Sequence, residues 1–576
     1  MKFAASPVLA LTLPPWRSRF LLSVFIAGFA LLLGRAAYLQ GLNNDFLQAK
    51  GESRYSRVIE ISANRGRILD RNGDALAIST PVKSIWAIPG EAHPGRAELE
   101  RLAAILEMPP REIEKRLADV SRDFVFLKRQ VPPEAAERVA ALSIPGVFQN
   151  REYRRYYPSG EVTAHVLGFT GADDIGQEGI ELEFQAGLAG KPGSRRVIKD
   201  RLGQTVEDVE SIQAAQDGRD LALALDMRIQ NLAFSALRAA VQKHRAKAGG
   251  VVVLDVDTGE LLALANFPTY NPNNRNRLIG AQLRNRTLTD TFEPGSTLKP
   301  FTVALALEAR RVKPDTVIPT APGSLSIGAA TIRDAHVERA LTVAQVIQKS
   351  SNIGAARIAL TLPAQSMWEM FQSLGFGAAP GLGFPGEAAG KLRPYRSWRP
   401  IEQATMSYGH GISVSLVQLA RAYSVFARDG ELVPLSLLRV DAPAAGQRVI
   451  APATARAVRA MLELAVNRNG TAPRAQIMGY RVAGKTGTAH KQENGTYAAE
   501  RYVSSFVGLA PASRPRLVIA VMIDEPSDGG YYGGTVAAPV FAQVMAGALR
   551  VLDVPPDAPM QPIELPPEGE EVKESV

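Results

Sequence analysis

From Phe20 to Gly34 the chain is apolar apart from Ser23, and after Arg35 the pattern resumes through Ala36-Ala37-Tyr38-Leu39. Counted to Leu39 this is about 20 residues, the length that crosses a bilayer when a flanking arginine reaches back to the interface. Hydrocarbon offers no partner to a backbone N–H, so such a stretch spans only as a helix. Arg17 and Arg19 precede it, which sets the N-terminus in the cytoplasm. A cleaved signal peptide would need small residues at a cleavage site before a polar mature start, and the sequence shows none. We read 1–19 as a cytoplasmic tail, 20–39 as an uncleaved transmembrane anchor, and everything past residue 40 as lying outside the cytoplasm.

The chain has 576 residues, too many for one core, so two or three domains are expected. It has no cysteine, which excludes disulfides, thiolate metal sites and cysteine nucleophiles. The six histidines are scattered with no ligand spacing, and no metal or cofactor is expected. The formal charge of +9 is not gathered into a basic run interleaved with aromatics, which argues against nucleic acid. A mild basic excess fits an anionic membrane or polymer.

Residues 45–215 read as a separate mixed α/β module. Arg57 to Ile61 alternates like a strand, Asp70-Arg71-Asn72-Gly73 is a turn, and 96–107 and 111–120 are two short helices split by Pro109-Pro110. Arg151 to Tyr157 reads as a solvated cationic stretch. From 216 the texture changes. A helix runs from Leu223 through about Lys243, and a hairpin pairs Gly250–Val256 with Glu260–Ala265. Helices are expected over Thr342–Lys349, from Ile353 and over Ser415–Ala427. Strands are expected from Arg481, over Ser504–Leu509 and over Arg516–Asp524, with a turn at Asn494-Gly495 and a closing helix Ala538–Leu552. Strands at both ends and helices in the middle imply one antiparallel sheet with helices on its faces, an α+β domain over 216–554. The proline-rich, acidic residues 555–576 read as a disordered tail.

Glu293-Pro294-Gly295-Ser296-Thr297-Leu298-Lys299 delivers a serine to the start of an apolar helix expected from about Thr297 to Ala309. Ser296 and Lys299, three apart, share one helix face. A serine hydroxyl needs a base to become a nucleophile, and an amine one turn away serves if its surroundings disfavour the ammonium. Alone, the pair reads first as a capping serine and a surface lysine. Ser350-Ser351-Asn352 alone is a capped loop, and Lys485-Thr486-Gly487 alone is an edge strand. All three in order, each at a turn beside a helix or strand, would rarely arise by chance.

Together with Arg65-Gly66-Arg67-Ile68-Leu69-Asp70, Arg155-Tyr156-Tyr157-Pro158-Ser159-Gly160, Gly176-Gln177-Glu178-Gly179, Tyr270-Asn271-Pro272 and Tyr532-Gly533-Gly534, the motifs make the chain resemble a class B penicillin-binding protein, most closely the division-specific branch. The resemblance implies a serine β-lactamase/transpeptidase-like domain behind an elongated pedestal. It implies a D,D-transpeptidase that cross-links peptidoglycan stem peptides at the septum and is acylated by β-lactams. It assigns Ser296 as nucleophile, Lys299 as proton acceptor, Ser350 as relay toward the leaving D-alanine nitrogen and Lys485 as an electrostatic aid. Asn352 would hold the donor amide, and Thr486, Gly487 and Thr488 the terminal carboxylate. Backbone N–H groups of Ser296 and Thr488 would form the oxyanion hole. Implied partners are the stem peptides, β-lactams, a SEDS-family glycan polymerase, other division proteins and the inner membrane, with the catalytic domain in the periplasm. A D,D-carboxypeptidase, a β-lactamase and an inactive division scaffold remain as alternatives. His410 and His490 depart from the family pattern. They are expected at the cleft rim, where a histidine of ordinary pKa would tie pocket charge to pH.

Overall fold

The first helix begins ahead of the apolar run. In the computed structural model, which describes residues 14–42, 56–199, 205–276, 278–443, 445–493, 496–563 and 565, α1 covers Pro15–Ala37. The expected start was Phe20. Proline is tolerated in a first turn because the N–H it lacks would have no partner there. Its mean hydropathy of 2.1, with no residue buried, makes this helix long and apolar enough to cross a membrane.

The chain forms two compact units. One takes residues 1–63, 82–152 and 191–216, and the other takes 64–81, 153–190 and 217–576. In the first, β1 (Ser56–Ile61) begins a three-stranded antiparallel sheet. The Lys83–Ala87 end of β2 (Ala75–Ala87) backs onto α2 (Arg96–Leu106) and α3 (Pro110–Leu117). It pairs with β3 (Val125–Val131), which α4 (Pro133–Ala141) follows. Ile85, Leu102, Leu106, Ile113 and Leu127 fill the core between strands and helices. β4 (Gly193–Lys199) and β5 (Thr205–Gln213) complete the other sheet.

The second unit is built on a five-stranded antiparallel sheet. Asp226 caps α5 (Met227–Lys243), accepting the N–H of Arg228 at 3.0 Å. The hairpin follows as β6 (Ala248–Asp255) and β7 (Leu261–Phe267). The middle of the chain supplies α6 (Lys299–Glu308), α7 (Val343–Gln348), α8 (Asn352–Ala359), α9 (Leu416–Ala427) and α10 (Pro452–Val466). The chain returns as β8 (Ala483–Glu493), β9 (Thr496–Ala510), β10 (Leu517–Asp524) and α11 (Ala538–Val551). The order β7-β6-β10-β9-β8 leaves β8 at an edge. Side chains alternate between faces, so Ile519, Val521 and Ile523 of β10 meet the α5 and α11 layer, and Val518, Ala520 and Met522 meet the helical middle. Covered on both faces, β10 is apolar over most of its length. The expected turn at Asn494-Gly495 lies outside the described residues.

Two expectations are overturned here. Arg155, taken for part of a solvated stretch, is buried. Glu181 Oε1 accepts from Arg155 Nε at 2.6 Å, and Glu181 Oε2 accepts from the equally buried Arg65 Nε at 2.7 Å. Arg65 also donates to the main-chain oxygens of Asp174 and Glu181. Burial is tolerated because the carboxylate pairs with both guanidinium groups and these hold further acceptors. The tail expected without structure is tied down at its start. Asp557 accepts from Arg481 N at 2.7 Å and Ser513 Oγ at 2.6 Å. The residues past 565 lie outside the described part.

Candidate active site

Pro294-Gly295 opens a 3₁₀ turn, Gly295–Leu298, and the α-helix begins only at Lys299. The expected helix start near Thr297 is corrected by this turn, and the difference matters chemically. With three residues per turn, positions i and i+3 eclipse, so Lys299 stands directly over Ser296. Lys299 Nζ donates to Ser296 Oγ at 2.8 Å.

The same amine reaches the next fragment. It donates to Ser350 O at 2.5 Å and Ser350 Oγ at 3.1 Å. Ser350 has φ of +58°, a left-handed conformation that costs a non-glycine residue about 1–2 kcal/mol. It lets the chain leave α7 and enter α8 within three residues. Ser351 caps α8, accepting from Gly354 N at 2.8 Å. A residue the sequence did not suggest anchors this junction. Asp334 accepts from Ser351 Oγ at 2.5 Å, Asn352 N at 2.6 Å and Ile353 N at 3.0 Å, a carboxylate at the positive end of α8. The Oδ1 of Asn352 is buried without a hydrogen-bond partner, an acceptor suited to a ligand N–H.

β8 brings the third fragment alongside the catalytic turn. A Cβ on Gly487 would lie 2.7 Å from Pro294 O and 2.5 Å from Ser505 Oγ, so only glycine lets strand and turn approach this closely. Lys485 Nζ donates to Thr486 Oγ1 at 3.0 Å, and that hydroxyl shares a 2.9 Å hydrogen bond with Thr471, another residue the sequence did not suggest. Thr488 Oγ1 accepts from Gly533 N at 3.0 Å, which ties in the Tyr532-Gly533-Gly534 segment. Ser296, Lys299, Ser350, Asn352, Lys485, Thr486 and Thr488 are all buried.

The two departing histidines differ. His410 packs edge-on to Tyr408, whose ring lies 5.9 Å from Lys299 Nζ. Burial, with the Lys299 and His490 charges, holds His410 down to about 4. It is therefore neutral at physiological pH and does not titrate in the range expected from its free pKa. His490 Nδ1 lies 3.0 Å from Ala498 O on the neighbouring strand.

A buried serine hydroxyl held by a buried lysine amine, with a second serine on that amine and an edge strand beside it, is an arrangement suited to serine acyl transfer. Residues 249–546 match the penicillin-binding protein transpeptidase domain, and residues 60–223 match the penicillin-binding protein dimerisation domain. The chain is 43% identical to the probable peptidoglycan D,D-transpeptidase PenA of Neisseria gonorrhoeae, over 94% of each chain. It is 42% identical to the peptidoglycan D,D-transpeptidase FtsI of Escherichia coli K12, over 94% of this chain and 93% of that one. The transpeptidase domain of Burkholderia pseudomallei penicillin-binding protein 3 superposes with a TM-score of 0.55 at 51% identity, covering 58% of this chain and 98% of that domain. The chain belongs to the class B penicillin-binding proteins.

Proposed function

We propose that this chain is a peptidoglycan D,D-transpeptidase acting through a Ser296 acyl-enzyme at the division septum. Ser296 Oγ attacks the carbonyl between two terminal D-alanines of a stem peptide. Its proton passes to Lys299 Nζ and on through Ser350 Oγ to the departing D-alanine nitrogen as the C–N bond breaks. An amine of a neighbouring stem then attacks the ester, the new C–N bond forms and Ser296 Oγ recovers a proton. Lys485 supplies positive potential, Thr486, Gly487 and Thr488 receive the terminal carboxylate, and Asn352 Oδ1 accepts the donor amide. Backbone N–H groups of Ser296 and Thr488 stabilise the oxyanion. β-Lactams mimic the D-alanyl pair and leave Ser296 acylated.

The supporting observation is the contact of one amine with both hydroxyls, Ser296 Oγ at 2.8 Å and Ser350 Oγ at 3.1 Å. The domain scheme follows from this reading. Residues 20–39 anchor the chain in the inner membrane with a single pass, 45–215 is the pedestal facing the SEDS-family polymerase and other division proteins, and 216–554 is the catalytic domain in the periplasm. Intact-protein mass spectrometry after exposure to a fluorescent penicillin tests it. We expect a long-lived adduct mapped to Ser296, and none in Ser296→Ala. Rapid turnover of the adduct would favour the β-lactamase reading, and septation supported by Ser296→Ala would favour an inactive scaffold.

A further inference from the structure

The hairpin of β8 and β9 outruns the sheet that carries it. β9 pairs with β10 only from Val503 onward, opposite Asp524. Beyond the irregularity between His490 and Gln492, β8 and β9 pair only with each other, as Gln492 with Tyr497 and Glu493 with Thr496. A two-stranded ribbon is marginal in water and keeps its place only if something holds it. Its packing contacts run through Tyr497, whose ring lies near those of His410 and His490. A cavity of about 290 Å³ lies behind the ribbon, lined among others by Phe292, Glu293, Ala489, Gln492 and Met522.

Polar tethers hold it at two places. At the base, Lys491 Nζ donates to Asp524 Oδ1 at 2.7 Å and Glu525 Oε1 at 2.6 Å. At the tip, the tether is Glu293, three positions before the nucleophile. Its carboxylate accepts from Gln492 Nε2 at 3.0 Å and Tyr497 Oη at 3.1 Å. It also accepts from Gly411 N at 2.8 Å, which belongs to the loop leading into α9. That loop presses on the catalytic turn so closely that a Cβ on Gly409 would lie 2.2 Å from Gly295 O. Donors from β8, from β9 and from the 408–411 loop thus meet on one carboxylate of the turn that carries Ser296. Among the described residues no cation pairs with Glu293, and burial raises its carboxyl. The ribbon is also where the cleft wall is completed. Tyr497 lies against His410, ring centroids 5.9 Å apart, and His410 lies against Tyr408 at 5.1 Å.

We propose that Glu293 is a positioning residue, a latch that holds the β8–β9 ribbon and the 408–411 loop against the catalytic turn and so fixes the Tyr497–His410–Tyr408 wall beside Lys299. It touches no reacting atom and acts through the segments it ties. The proposal rests on Ser296 being the acylated residue.

The test is the rate of acylation by a fluorescent penicillin in the full-length protein, for Tyr497→Phe, Glu293→Gln and the double variant. Tyr497 is half exposed, so Tyr497→Phe removes one hydrogen bond without threatening the fold. We expect each single variant to acylate about threefold to tenfold more slowly, the size of one net hydrogen bond. The double variant should lose no more than the larger single loss, because both changes open one latch. Melting temperature should be unchanged in Tyr497→Phe. Acylation of Tyr497→Phe within twofold of wild type would overturn the latch, as would losses that multiply in the double variant. A wild-type chain that takes no label would instead overturn the acyl-enzyme reading itself.

Discussion

Replacing Asp334 by alanine removes three hydrogen bonds at the start of α8, from Ser351 Oγ, Asn352 N and Ile353 N, and leaves the Ser351 cap on Gly354 N. Asp334 is half-buried, so water can replace part of what is lost. The loss of a capping side chain costs about 0.5–2 kcal/mol, and the lost charge at a helix N-terminus about 0.3–1 kcal/mol more. The local effect is therefore about 2 kcal/mol. The catalytic effect follows from where the strain sits. Ser350 is held left-handed between α7 and α8, and its Oγ and O are both bonded to Lys299. Without the Asp334 anchor, Ser350 can relax toward an ordinary conformation and withdraw both acceptors from the amine. If the productive geometry becomes the minor one by about 2 kcal/mol, acylation slows roughly 30-fold. The assay is penicillin labelling of Asp334→Ala against wild type across drug concentrations, with thermal unfolding measured in parallel. A variant that melts lower but labels within twofold of wild type would refute the link from cap to active site.

Three further outcomes are expected. Glu181→Ala leaves Arg65 and Arg155 buried without their shared carboxylate, and should destabilise the chain by about 3–5 kcal/mol in a denaturant titration, while Arg67→Ala, at an exposed pair, should leave the midpoint nearly unchanged. His410 has its pKa lowered to about 4, so the unfolded chain binds the extra proton as pH falls from neutrality and folding loses stability. Its share is about 2 kcal/mol by pH 5, and His410→Phe should unfold at a temperature that falls less between pH 7 and pH 5 than the wild type does. Gly487→Ala must push β8 off the catalytic turn, since the clash is with the backbone oxygen of Pro294, and penicillin labelling should fall at least tenfold with the protein still folded.

How much of this was legible in the linear chain depends on the range over which each feature acts. Ser296 and Lys299 could be paired because their contact is made within one turn, and spacing alone puts them on a face. The sheet was legible because strands covered on both faces must be written as apolar runs, as Leu517 to Ile523 is. The 3₁₀ form of the catalytic turn was not, since helix periodicities of 3.0 and 3.6 cannot be told apart over four residues. Arg155 was misread because nothing near it in sequence reveals a carboxylate 26 positions away that neutralises it. Asp334 and Thr471 escaped for the same reason. Each acts through a contact made by folding, from a loop without periodicity, on a residue recognisable only by its motif.

Two carboxylates to which the sequence assigned no role do similar work. The motif residues supply hydroxyls and amines, whereas Asp334 and Glu293 supply carboxylates that only hold backbone and hairpin in place. One anchors the start of α8 behind Ser350, and the other ties the ribbon and loop around Ser296. On the reading proposed above the chemistry draws on both, because the Lys299 amine must meet two hydroxyls from separate segments within 3.1 Å. Ser350 is in a left-handed conformation, and the ribbon borders a cavity. Charge-assisted hydrogen bonds are stronger and more directional than neutral ones, and they hold such segments without filling space that a substrate must enter. A transferase that takes two long peptides into one cleft has reason to be braced in this way, by acids at the ends of its loops.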